Sequence, residues 1–318
     1  MILRPCIHRI GIGIAAILGG YLSLPGPVFA QDGYRATGAR FLTIGGGARA
    51  LAMGETYLVE SSDPFVQFYN PAPLSGEGPV KVGLAHNAHF QNAHGEYAAM
   101  MIPAGRVGLG LALQMFAVNN IPRRVGPTEQ PLGEFDAVDA QVVGSAGCAI
   151  SPKVRLGLAM KGVFQKIDTE VANGIAFDVG GLYQVTGRIA VGAALDNLGP
   201  EMSFKQATYK LPSTFRLGGG YTTDQWALRG ELVSPRNEAS KFHFGGEYVF
   251  RLPTAQSPAS VTDARLALRA GYTFGYDTRS WAVGFGAGVR YVEIDYAFVP
   301  YKDDLGDTHH FGVVFTLQ

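Results

Sequence analysis

Cysteine is almost absent: two residues in 318, Cys6 and Cys148, too few for a disulfide framework or a thiolate zinc module. Charge is scarce too. Charged residues make up 16% of the chain, against about a quarter in ordinary proteins, and they cancel, 26 Lys and Arg facing 26 Asp and Glu. With no basic excess, a nucleic-acid partner is disfavoured. With 47% apolar residues and no net charge, so is a disordered chain. Past residue 30 there is no run of about 18 uncharged apolar residues, which excludes a helical membrane protein. Glycine, by contrast, is abundant: 43 residues, about twice the usual share.

Residues 1–30 read as a secretory signal peptide. Arg4, His8 and Arg9 form a basic start, Ile10 to Leu24 an apolar centre too short to span a bilayer, and Val28-Phe29-Ala30 a small-x-small cleavage site. Cleavage removes two bases and no acid, so the exported chain carries a formal charge of −2 and Cys148 as its lone thiol. Set in the apolar run Val142 to Ile150, Cys148 is expected to be buried and inert.

From Val80 onward the pattern has period two. Val107, Leu109, Leu111, Leu113 and Met115 alternate with Gly108, Gly110, Ala112 and Gln114, and Val154, Leu156, Leu158 and Met160 with Arg155, Gly157, Ala159 and Lys161. This is the spacing of strands with one apolar face. About fourteen such segments follow one another, most of them nine residues or longer, the length a tilted outer-membrane strand needs. Fourteen strands enclose more space than side chains alone fill, so the apolar face is expected to look outward to lipid and the polar face into a wet or plugged lumen. Aromatics near segment ends, Phe90, Tyr97, Phe116, Tyr221, Trp226, Phe250, Tyr272, Trp281, Tyr296 and Phe298, suit the interfacial girdles of such a barrel. The longer connections, 118–133, 198–210 and 252–262, are the candidates for partner binding.

The predicted architecture is therefore all-β: a transmembrane antiparallel barrel of about fourteen strands over 80–318, with an N-terminal plug-like segment, 31–79, in its lumen. That segment breaks the alternation, and irregular backbone is tolerated at membrane depth only where protein surrounds it. The lumen charges are expected to be Arg155, Lys161, Asp178, Arg216, Arg229, Glu231, Glu247, Arg269, Arg290, Glu293 and Asp295. Their mixed signs suggest ion pairs across the lumen or to a plug, since an ion-selective pore usually presents one sign. Glycine repeats such as Gly284 to Gly288 lie within strands and imitate dinucleotide motifs without the following helix. The histidines His86, His89, His94, His309 and His310 lack a four-ligand set, and no nucleophile-elbow motif occurs. No catalytic, cofactor or metal site is expected, and the chain reads as a non-enzyme.

Two stretches carry a resemblance. Thr37 to Gly45, Gly47 to Gly54, Asp63 and Phe68-Tyr69-Asn70-Pro71-Ala72-Pro73-Leu74 resemble the start of the PorV/PorQ family of outer-membrane barrels, and Tyr296 to Tyr301, Asp304-Leu305-Gly306 and Thr308-His309-His310 resemble its closing hairpin. Asn70-Pro71-Ala72 is also similar to the plug motif of FadL-type fatty-acid channels, although by itself it is an Asx-Pro turn. The PorV/PorQ resemblance implies a component of type IX secretion that binds secretion subunits or exported cargo in the outer-membrane lipid. The FadL resemblance implies a channel that passes a hydrophobic small molecule through a lateral opening. Glu55 and Pro73 depart from the family pattern, which usually has a small residue or glycine there, and the chain ends Phe315-Thr316-Leu317-Gln318 without the terminal aromatic of many such barrels.

Overall fold

The computed structural model describes residues 37–127, 130–252 and 264–317. The signal-peptide reading of 1–30 lies outside them. Fourteen antiparallel strands close into one barrel: β1 (Val80–Ala88), β2 (Ala93–Ala104), β3 (Val107–Arg123), β4 (Gly133–Ala149), β5 (Val154–Ile167), β6 (Glu170–Gln184), β7 (Ile189–Leu198), β10 (Thr214–Thr222), β11 (Trp226–Pro235), β12 (Lys241–Leu252), β13 (Ala264–Phe274), β14 (Trp281–Val289), β15 (Val292–Pro300) and β16 (Asp307–Leu317). A small hairpin, β8 (Met202–Phe204) with β9 (Ala207–Tyr209), lies in the connection from β7 to β10. The barrel closes by pairing β1 with β16, Val80 opposite Leu317 and Leu84 opposite Val313, so it leaves no free edge in lipid.

The alternation becomes two faces. Leu109, Leu158, Leu268 and Ile294 are 51%, 62%, 56% and 58% exposed on the outside of the wall, whereas Gln114, Lys161, Asp178 and Arg269 on the other parity are 1% to 4% exposed. A soluble barrel has the opposite sense, so this wall is built for lipid. Cys148 falls on the outer parity and is exposed; its apolar neighbours mark contact with lipid, not burial in a core. Tyr221, Trp226 and Phe250 ring one end of the outer wall, and Tyr272 and Trp281 the other. Tyr97 and Phe116 instead fall on the lumen parity and Phe90 in the β1–β2 turn, so these three leave the expected girdles.

Because each strand reverses the one before it, the connections alternate between two rims. One rim carries both ends of the wall and turns such as 105–106 and 290–291; the other carries 124–132, 199–213, 236–240 and 275–280. Two of the three expected binding loops share this second, loop-rich rim. The third, 252–262, lies outside the described residues from 253 on; the end of β12 and the start of β13 that flank it are on the short-turn rim. Two irregularities interrupt the ladders, one between Val118 and Ile121 on β3 and one between Phe177 and Val179 on β6.

Residues 37–79 lie inside the wall as a 3-10 turn (Arg40–Thr43), a short helix α1 (Ala48–Ala52) and two further 3-10 turns (Pro64–Phe68 and Ala72–Leu74). Asp63 starts the second turn, its side chain accepting from Phe65 N at 2.8 Å, with Pro64 at the first position. Met53, Tyr57, Leu58, Phe65, Val66, Tyr69 and Leu74 are at most 2% exposed. Burying each such side chain contributes about 1.5–3 kcal/mol.

Candidate functional site

The inner segment touches the wall where the wall has no side chains. A Cβ at Gly108 would overlap the Leu74 carbonyl, one at Gly157 the Ala72 backbone, one at Gly180 the Asn70 side chain, and ones at Gly245 and Gly271 the Met53–Gly54 backbone. Glycine on the lumen parity of strand after strand therefore lets two backbones meet. Asn70, fully buried, sits at the centre of one contact. Its Nδ2 donates to the Leu58 carbonyl at 2.8 Å and to the Gly181 carbonyl of β6 at 3.2 Å, and its Oδ1 accepts from Ala72 N at 3.0 Å. The Asx turn and a clamp to the wall are thus one arrangement. Pro71 and Ala72 lie against Gly147 of β4 and Gly157 of β5.

Charges line the lumen between these contacts, and several reach the segment. Arg49 of α1 pairs with Glu247 of β12 at 2.7 Å and with Glu60 at 3.2 Å, and Glu60 pairs with Arg229 of β11 at 2.5 Å. Glu231 accepts from Leu58 N at 2.6 Å, and Arg155 donates to the Ser75 carbonyl at 3.0 Å. Arg269 gathers Glu247 at 2.5 Å, Asp295 at 2.5 Å and Glu293 at 3.1 Å. Lys161 pairs with Asp178 at 2.7 Å, and Arg216 with Asp196 at 2.9 Å. Arg290 does not join them. The strand alternation stops at Val289, and Arg290 turns the chain with a φ of 53°, exposed on the short-turn rim with its guanidinium over the Tyr291 ring.

Sequence reasoning did not single out Arg49, Glu60 and Arg279. Glu55, marked only as a departure from the family pattern, pairs with Arg279 of the β13–β14 connection at 2.6 Å. Burial works to raise the Glu55 carboxyl, yet the Arg279 guanidinium overrides it and holds the group down at about 2.

Above this floor, at the loop-rich rim, lies a cavity of about 320 Å³. One side is aromatic: His89 meets Phe116 edge to face at 5.3 Å and His310 at 5.4 Å, and Phe90 meets Tyr301 at 5.1 Å between ring centroids. The other side is cationic. Arg279 and Lys241 stand over the Tyr276 ring at 4.4 and 4.3 Å, and Arg40 and Lys241 share the Glu238 carboxylate. The β8–β9 hairpin folds in beside it, Met202 and Leu211 packing on Phe41 and Leu42, and Gly38 N bonding to the Lys210 carbonyl at 3.1 Å. Among the described residues no cluster of His, Cys, Asp or Glu has the form of a metal site. A mixed apolar and polar lining over a closed floor is the make-up that small-molecule sites share.

No protein-family model matches the chain, and no curated protein matches it. Solved structures do. The toluene transporter TbuX of Ralstonia pickettii aligns with a TM-score of 0.58 at 15% identity, over 86% of this chain and 99% of that chain. The toluene transporter TodX of Pseudomonas putida aligns with a TM-score of 0.60 at 11% identity, over 86% and 99%. A FadL homologue of Pseudomonas aeruginosa aligns with a TM-score of 0.54 at 10% identity, over 84% and 96%. At such identities the likeness is one of fold, a closed β-barrel.

Proposed function

We propose that the protein is an outer-membrane channel that takes a small hydrophobic molecule from outside into the mouth cavity and passes it sideways through the wall. The observation that carries this reading is the position of the cavity: aromatic on one side, and floored by a segment tied to the wall by hydrogen bonds, ion pairs and glycine contacts. Straight passage requires breaking those ties together. Sideways passage needs only a local gap, and Phe116 of the cavity stands two residues before the β3 irregularity. Short turns face the periplasm and longer loops the outside in barrels of this kind, which sets the cavity at the cell surface. The likeness in fold to two toluene transporters supports the same reading.

The secretion reading, with subunits or cargo bound at the loops, rests on the terminal motifs. Mild extraction from native membranes followed by mass spectrometry of everything that accompanies the barrel separates the two. A bound apolar molecule, with loss of its uptake on gene deletion, is the expected result; secretion subunits or cargo in its place, with uptake unaffected, overturn the channel.

A further inference from the structure

Cations outnumber acids at the mouth cavity. Deeper in the lumen, Arg49, Arg229 and Arg269 each hold a carboxylate at 2.7 Å or less. Among the cations that line the cavity, Arg279 is taken up by Glu55 at 2.6 Å and Arg216 by Asp196 at 2.9 Å. The remaining three, Arg40, Arg236 and Lys241, have one carboxylate between them. Arg40 and Lys241 both pair with Glu238, Lys241 at 2.6 Å. Arg236 stands on the same turn, lines the same space and is exposed, and among the described residues its side chain has no hydrogen bond or ion pair. Two positive charges are thus left over, and an excess of one sign in a cleft draws the opposite sign to it. The rest of the lining is aromatic: Phe90, Phe116 and Tyr301 are each half-buried, with part of the ring left open. Lys241 lies over the Tyr276 ring at 4.3 Å, which sets the cationic group against the aromatic lining.

From this geometry, and resting on the channel reading above, we infer that the mouth cavity takes a monocyclic aromatic carboxylate in preference to the bare hydrocarbon. The carboxylate accepts two parallel N–H bonds from the Arg236 guanidinium, with Arg40 and Lys241 beside it as further donors. The ring packs on Phe90, Phe116 and Tyr301. A methyl group in place of the carboxylate offers these donors nothing. At about 320 Å³ the cavity is at the small end of ligand sites, a size for one ring with one acidic group and short for a long acyl chain. Such an amphiphile also suits sideways passage at this height. Lys241 begins β12 three residues before Phe244, which pairs with Tyr272 of the outer girdle. The ring therefore enters lipid while the carboxylate stays in the wet interface.

The test is calorimetric titration of the full-length barrel in a non-ionic detergent with sodium benzoate, toluene and sodium octanoate, corrected against protein-free micelles, on the wild type and on Arg236→Gln and Glu238→Gln. Folding of each variant is verified by its heat-modifiable migration. Benzoate and toluene share the ring and differ in the anionic group; benzoate and octanoate share that group and differ in the ring. Benzoate is expected to bind about ten-fold or more tightly than either of the others. Arg236→Gln is expected to weaken benzoate about five-fold or more and leave toluene unchanged, while Glu238→Gln, which removes the competing carboxylate, tightens benzoate. Opposite signs at two positions of one turn are not produced by a merely structural role. Toluene bound as tightly as benzoate, or benzoate affinity untouched by both substitutions, overturns the anion selection and leaves the channel standing. Octanoate bound as tightly as benzoate or more so overturns the choice of a ring. Failure of all three probes to bind removes both the inference and the channel reading.

Discussion

Replacing Asn70 by Ala tests whether the inner segment is clamped to the wall. The change removes three hydrogen bonds from a fully buried position and strands the Leu58 and Gly181 carbonyls and the Ala72 amide. At about 1 kcal/mol net per bond, the segment loses about 3 kcal/mol in all, of which only the Gly181 bond, about 1 kcal/mol, is hold on the wall. That 1 kcal/mol corresponds to about a five-fold rise in the population of displaced states. In planar bilayers Asn70→Ala is expected to show brief conductance openings about five times as often as the wild type, and in vesicles a lower urea midpoint. Asn70→Asp is a sharper control. It keeps the acceptor for Ala72 N but sets a carboxylate oxygen against two carbonyl oxygens, so at neutral pH it is expected to be less stable than the alanine variant. That carboxyl titrates above its unfolded value near 3.9, so the extra cost is present at neutral pH and fades as pH falls through the raised folded value toward about 4. An alanine variant with wild-type conductance and urea midpoint, or an aspartate variant with no such pH dependence, refutes the clamp.

Three further outcomes follow from the same geometry. Gly157→Ala and Gly162→Ala make one chemical change on the two faces of β5: the first overlaps the Ala72 backbone, the second meets open space. Urea unfolding in vesicles is expected to show a loss of about 1–3 kcal/mol for Gly157→Ala and a change within about 0.5 kcal/mol for Gly162→Ala, and equal effects would reject the glycine contact. The Glu55 carboxyl, lowered to about 2 by Arg279, contributes about 3 kcal/mol that is present above its unfolded value near 4.5 and lost as pH falls toward 2. Glu55→Gln is expected to flatten the melting temperature measured across that interval, and an unchanged acid slope would discount the ion pair. Leu158→Arg places a charge on the outer wall, where Leu158 is 62% exposed, and should cost about 2–4 kcal/mol in lipid vesicles; a neutral result would mean that this face does not meet lipid.

The wall was legible because its signal is local. Each strand alternates over nine residues or more, and an error of one residue would put Lys161 or Arg269 into lipid, so few registers satisfy the chain. Extrapolation past a strand end failed for the same reason: Arg290 continues the β14 alternation in sequence, but the left-handed backbone after Val289 takes it out to the rim. Cys148 was misread because an apolar neighbourhood signals burial only when water is the solvent. Asn70-Pro71-Ala72 was legible as a motif and its partners were not, since Gly181 lies 111 residues away. The mouth cavity had no sequence signature at all. It draws His89 from one turn, Phe116 from β3, Arg279 from a loop and His310 from the last strand, and no spacing rule connects such positions. The one available hint was Glu55, an acid in a segment of small residues, whose partner lies 224 positions on.

Two oddities of composition, surplus glycine and scarce but balanced charge, have one physical origin. A fourteen-strand wall encloses a lumen too wide for its own side chains to fill. An apolar filling would make both faces of every strand alike, and nothing would then specify which face meets lipid. The chain fills the space with its own N-terminal segment, and two means of attachment remain that keep the inner face unlike the outer. Where backbone must lie on backbone, as at Gly108, Gly157, Gly245 and Gly271, the wall gives up its side chains. Where a gap remains, long charged side chains cross it, and each needs an opposite charge because water is largely excluded. Arg49 with Glu247 and Arg229 with Glu60 are such crossings, and Arg269 with Glu247 and Asp295 extends the network along the wall. Net neutrality is then a requirement of the filled lumen. The surplus cations at the mouth, where Arg40 and Lys241 share one carboxylate, mark the place where the filling ends and the space for another molecule begins.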